Sequence, residues 1–286
     1  MASATALEGF RPVHEAHAIE QLVVAIQFDR PLIDNDIRQI DILMASFSES
    51  LPGRNEIKGV GFQIGPHGMV PITQPFSDVP HGIVRTFTDP SGVVTKELRI
   101  ERQSLVFRTM DYTRWASVWS EAQAYFTQIL PRISSACIAT YSLTYIDKYV
   151  WEGAVDRCRP ALLLRSDSPY VAPTIFCASD LWHSHSGHFV ADGKVKKRLV
   201  VVDIDCLDET DTNGPTAKTS RVVRISTALT AILNQPGFEP STMLAQNAAK
   251  ELESDFSSLH NSLKVVFGSI VNEVAANQVG LNKNAN

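Results

Sequence analysis

The chain has 286 residues, of which 44% are hydrophobic and 20% charged, with a formal net charge of −5. That balance can fill a sizeable core, and it excludes a disordered chain, a collagen-like repeat and a disulfide scaffold. It also argues against a nucleic-acid binder driven by bulk charge, and no apolar run reaches the ~18–20 residues of a membrane span.

Residues 1–16 read as a flexible lead-in. They lack the basic stretch and apolar core of a secretion signal. The cysteines, Cys137, Cys158, Cys177 and Cys206, form no Cys-x-x-Cys pair. The expectation is a cytoplasmic protein with reduced thiols. Residues 18–28 are β-branched and end at Asp29-Arg-Pro31, which predicts a strand. A helix follows, with Asp34 as its cap and Ile37, Ile40, Met44 and Phe47 at three- and four-residue spacing. Leu51-Pro52-Gly53 must end it.

Residues 56–64 predict a strand, and 65–80, punctuated by proline, a long loop. Residues 82–88 and 93–100 predict a hairpin around Asp89-Pro-Ser-Gly92, and 105–109 a further strand. Trp115, Val118, Trp119, Ala122, Phe126 and Ile129 form one helical stripe that stops at Pro131. Residues 138–150 read as a long strand with Tyr141, Leu143, Tyr145 and Asp147 on one face. Strands are further expected at 157–165, 174–182, 188–191 and 197–206, with a hairpin turn at Asp192-Gly193. A helix is expected at 222–233. A long C-terminal helix is expected at 241–277, with a possible bend at Gly268 and a disordered tail over 278–286. Trp151 and Trp182 flank loops and are read as candidates for a binding surface.

This order predicts an α+β fold. Two βαβββ-like units would form a largely antiparallel sheet with helices on one face, plus the long C-terminal helix. The first unit, with the start of the second, would occupy 17–150, and the rest of the second 151–240.

Ile19-Glu-Gln-Leu-Val-Val-Ala-Ile-Gln-Phe28, the strand around Asp203-Ile-Asp205, and Leu259-His260 through Phe267-Gly-Ser-Ile270 occur in an order that resembles a sporadically distributed bacterial family of unknown function. That family usually has proline after the lead-in, where this chain has His17-Ala18. The resemblance spans almost the whole chain. It implies a chain organisation and a patchy, mobile-element-like distribution, and it brings no activity, substrate or catalytic residue.

The sharpest local feature is His183-Ser-His185-Ser-Gly-His188. Alternation puts His183 and His185 on one strand face, and a turn at Ser186-Gly187 would bring His188 beside them. Three imidazoles so placed suit zinc or another transition ion. The plainer reading is a polar hairpin tip, because no Cys-x-x-Cys or His-Glu-x-x-His accompanies them. Asp203 and Asp205, followed by Asp208, Glu209 and Asp211, suit a hard cation or pairing with Lys194, Lys196, Lys197 or Arg198. Arg85, Arg99, Arg102 and Arg108 read either as a charge ladder with Glu97 and Glu101 or as an anion-binding patch.

The chain has no phosphate loop, dinucleotide fingerprint or nucleophile elbow. The expectation is a non-catalytic binding or interaction module with no cofactor, metal or membrane contact. Residues 252–263 would pack on their own domain, while 265–277 would face a partner or a second copy. The alternatives are a metal-assisted hydrolase or nuclease at the histidine hairpin or aspartate cluster, and a small-ligand sensor with an apolar pocket under the C-terminal helix.

Overall fold

The computed structural model describes residues 9–58, 61–65, 68–72, 79–192, 196–211, 218–233 and 249–281. In chain order the strands of the first half are β1 (Gly9–Pro12), β2 (Ile19–Phe28), β3 (Gly53–Ile57), β4 (Gly61–Gly65), β5 (Gly68–Ile72), β6 (Gly82–Thr88), β7 (Val94–Glu101) and β8 (Ser104–Thr109). Those of the second half are β9 (Ile138–Glu152), β10 (Trp182–Asp192), β11 (Lys196–Asp211) and β12 (Lys218–Ile232). The helices are α1 (Asp34–Met44), α2 (Trp115–Ile129), α3 (Ala249–Ile270) and α4 (Glu273–Gln278). Ten strands form one antiparallel sheet in the order β10-β11-β12-β9-β2-β8-β7-β6-β3, with β1 pairing β9, while β4 and β5 pair separately. The α+β class follows from this layering. No helix among the described residues is long and apolar enough to cross a membrane.

The chain divides into two compact units. One comprises Met1–Leu22, Leu143–Ala231 and Phe256–Asn286, and the other Val23–Ser142 and Ile232–Asp255. In the second of these, Leu98, Ile100, Leu105 and Phe107 are buried at alternate strand positions. Tyr125 of α2 lies with its ring 5.8 Å from that of Phe107. Ile37, Ile40 and Met44 supply the buried stripe of α1. The α1 cap position is Ile33 rather than Asp34, and the sequence reading also missed a device here. The fully buried Asp36 accepts from Ser134 Oγ at 2.9 Å and from Ser135 N at 3.2 Å. The 89–92 turn is as expected: Asp89 Oδ1 accepts from Ser91 N and Val93 N, and Gly92 has φ 89°, a conformation that suits glycine.

Trp119 is 6% exposed on the buried stripe of α2, its ring stacked 5.6 Å from that of Trp115. Trp119→Ala should therefore lower stability by roughly 3–5 kcal/mol in chemical denaturation. An unchanged midpoint would remove this residue from the core.

The structure corrects several expectations. Part of the lead-in is strand β1, whose Phe10 packs edge-on against Trp151 at 5.1 Å. Trp151 is thus core, 6% exposed, and not a binding surface. Residues 1–8 lie outside the described residues. The loop expected over 65–80 contains β5. The strands expected at 157–165 and 174–182 give way to single 3-10 turns at Val155–Arg157, Pro160–Leu162 and Pro173–Cys177. Pro160 and Pro173 open two of them, where a missing N–H costs nothing. The helix expected at 222–233 is strand β12, with Val223, Ile225, Thr227, Leu229 and Ala231 buried in alternation.

The C-terminal helix is two helices. α3 runs through Gly268, and the break comes at Val271 and Asn272. There Leu164 bridges Val271, Asn272 N donates to Leu163 O at 2.8 Å, and Asn272 Oδ1 caps α4 by accepting from Ala275 N at 3.0 Å. Residues 241–248 and the tail beyond 281 lie outside the described residues. The stripe Leu252, Phe256, Leu259, Leu263 and Ile270 is buried. So are Val266, Phe267, Val271, Ala275 and Ala276, which leaves Val265 and Val274 as the exposed apolar residues of the segment assigned above to a partner.

Candidate functional site

Strands β10 and β11 form a long antiparallel hairpin. Its register sets His183 opposite Asp205, Ser184 opposite Ile204, His185 opposite Asp203 and His188 opposite Val200. His183 Nδ1 lies 2.6 Å from Asp205 Oδ1, and His185 Nδ1 is hydrogen-bonded to Asp203 Oδ1. The two imidazoles, 58% and 59% exposed, therefore stand side by side on one face, each joined to a carboxylate of the next strand. The expected turn at Ser186-Gly187 is absent, because β10 runs straight through it. His188 consequently faces the other way with Ser184 and Ser186, its ring 5.7 Å from that of Tyr170. On that face Ser184 is buried and its Oγ accepts from Ala172 N at 3.1 Å, while Ser186 Oγ donates to Tyr170 O. Among the described residues no group of three or more His, Cys, Asp and Glu is placed to hold a metal ion.

The remaining acids of β11 meet cations from β12 and β9 rather than from the preceding hairpin. Arg221, itself buried, donates to both oxygens of Asp208 at 2.6 and 3.1 Å and to Asp180 at 3.0 Å. These bonds hold the Asp208 carboxyl below its usual range. Glu209 pairs with Arg224 and with Lys148, and both cations also bind Glu20. Arg198 turns instead to Ser258 Oγ and Ser262 Oγ of α3. The side chain of Asp211, with residues 193–195, lies outside the described residues.

The four arginines are not gathered. Arg85 is 6% exposed and stands opposite Leu98, so it lies on the packed face. Arg99 pairs with Glu97 at 3.0 Å and Glu101 at 3.2 Å, and Arg108 reaches Glu97 at 3.5 Å. Arg102 bonds Asp34 at 2.6 Å and Leu32 O at 2.8 Å. Arg99 and Arg108 thus form a charge ladder with Glu97 and Glu101, while Arg102 is tied to the start of α1 instead.

Sequence reasoning gave no role to a polar group on the packed face of β9. Tyr145, Asp147 and Tyr149 are buried at alternate positions. Tyr145 Oη lies 2.8 Å from His260 Nδ1 of α3. Burial pushes the Asp147 carboxyl up to about 8, and it drives the Tyr149 hydroxyl upward, with the Asp147 charge adding to it. Burial, with the charge of Lys264, lowers His260 to about 4. Tyr149 Oη and, on β12, Thr227 Oγ1 are buried without a hydrogen-bond partner. The sequence signal was a carboxylate in the apolar phase of an otherwise alternating strand.

Comparison with protein-family models and with curated proteins returns no match.

Proposed function

We propose that this chain is a non-catalytic binding module that takes an extended segment of a partner protein along the outer edge of β10. The observation that carries the reading is the character of that edge. β10 is 11 residues long and ends the strand order, so among the described residues its outward N–H and C=O groups have no neighbouring strand. Among the described residues no backbone bond reaches it except from β11. Leu181, Phe189 and Val190, at or beside this edge, are 51%, 62% and 42% exposed.

The opposite end of the strand order, β3, is a contrast. It has 5 residues, and Arg54 is clamped there by Asp41 and Glu56 at 2.9 Å each. Short length and charge are how sheet edges are closed to pairing, and β10 has neither along its Phe189–Val190 stretch. A strand added to β10 would satisfy its outward backbone groups, and alternate side chains of the added segment would meet Phe189 or Val190.

Selection of a random peptide library against the full chain tests this. Enriched peptides should be extended and rich in β-branched or aromatic residues. Their binding should slow hydrogen exchange at the β10 amides and weaken at least tenfold in Phe189→Lys. Peptides that protect another element, or a library that yields no binder, would overturn it.

A further inference from the structure

The paired histidines carry an inference that stands independently of the peptide reading. Each imidazole is committed through Nδ1 to a carboxylate, His183 to Asp205 at 2.6 Å and His185 to Asp203. A carboxylate at Nδ1 holds the proton there and turns the Nε2 lone pair outward. This carboxylate–imidazole arrangement is the one that orients metal-binding histidines, with the acid acting behind the ring rather than on the ion. Here it occurs twice, at alternate positions of one strand, on side chains more than half exposed.

The surroundings suit an ion. Alternate strand residues stand roughly 6.6–6.8 Å apart, a span that two imidazoles would have to close by tilting toward one another about a bound ion. The next position on that face is Gly187, and His185 Nε2 lies 4.0 Å from where a Cβ at Gly187 would stand. A Cβ there would be in ordinary contact, so the glycine leaves that side of the ring open. His188 is turned to the opposite face and takes no part.

We infer that His183 and His185 form a two-imidazole seat for a divalent transition-metal ion, with Asp205 and Asp203 as positioning residues. Two neutral nitrogen ligands with the other positions left to water suit Ni²⁺, Cu²⁺ or Zn²⁺ and not Mg²⁺ or Ca²⁺. The aspartates thus act behind the histidines and are not themselves the site for a hard cation.

The test uses the untagged full chain and Ni²⁺ alone, followed by calorimetry and by the visible absorption of the bound ion. One ion per chain is expected, with no response to Mg²⁺. The His183→Ala/His185→Ala double variant should lose that ion, and His188→Ala should keep it. Asp203→Asn and Asp205→Asn should each weaken binding by about tenfold or more while the absorption still reports imidazole ligands. Circular dichroism of each variant should match the parent, since all four side chains are at the surface. No uptake, or uptake that survives the double variant, would overturn the site. Uptake lost with the histidines but unchanged in both aspartate variants would overturn the positioning role.

Discussion

Asp147→Asn should raise the stability of this protein, and the gain should grow with pH. The Asp147 carboxyl is held up at about 8 by burial alone, against an ordinary value of 3.8. Its native state therefore binds a proton more tightly than its unfolded state. Below the unfolded value both states are protonated and nothing is lost. Between there and about pH 8 the unfolded state gains by releasing its proton, so native stability falls, and above 8 the loss is complete. At ~1.4 kcal/mol per unit, the cost by pH 7 is of the order of 4 kcal/mol. Asparagine has the same shape and no proton to lose. It still buries a polar amide, so the net gain should be smaller, roughly 1–3 kcal/mol near neutrality. Urea denaturation of both proteins from pH 4 to pH 9 measures this. The two stability curves should diverge with pH and then run parallel. Curves parallel throughout would mean that the carboxyl is hydrated or paired in solution.

Removal of residues after Lys264 should unfold the unit to which α3 contributes. The deleted stretch contains Val266, Phe267, Ile270, Val271, Ala275 and Ala276, all buried. It also contains one partner of each bond in the strap at the α3–α4 break: Ile270 O, which accepts from Arg165 N at 2.9 Å, and Asn272 N, which donates to Leu163 O. Large-to-small changes at single buried sites of this kind cost ~2–5 kcal/mol each, and a whole domain commonly has ~5–15 kcal/mol in all. Phe267→Ala alone should lower the thermal midpoint clearly, while Val265→Ala, at a site 74% exposed, should leave it in place. Circular dichroism and light scattering on the truncated chain decide the matter. A folded monomer with native melting would show that this stretch is not part of the core.

The sequence was most legible where one period excluded the other. The alternation in β9 and the stripe of α2 each fit one element type only. Residues 222–233 fit two. Val222, Ile225, Leu229 and Leu233 keep a helical spacing, while Val223, Ile225, Thr227, Leu229 and Ala231 keep a strand spacing. The β-branched valines, isoleucines and threonines favour the strand, and the structure has it. In the histidine hairpin, alternation placed His183 and His185 together but could not say what faced them. A two-residue loop at 192–193 would set His183 opposite Val202. Pairing Asp192 with Lys196 instead sets it opposite Asp205. A slip of that parity moves every side chain to the other face, so the carboxylate partners were hidden in a loop length. Asp147 was visible as an acid among tyrosines, but its face of β9 meets α3 through Tyr145 and His260, which lie more than a hundred residues apart in the chain.

The unit containing β10–β12 is made of three separated stretches, and its last piece begins at Phe256. On a ribosome, the neighbouring hairpins β6–β7 and β7–β8 emerge early and have all their strand partners close by in sequence. They can fold as they appear. The side of β11 that carries Arg198 has to wait for a helix translated after it, because its partners are Ser258 and Ser262 of α3. Val200, Val202 and Ile204, buried in the finished protein, alternate along that same side, and apolar surface left open in a nascent chain draws chaperones. Arrival of α3 supplies the hydroxyls that Arg198 binds and ends that wait.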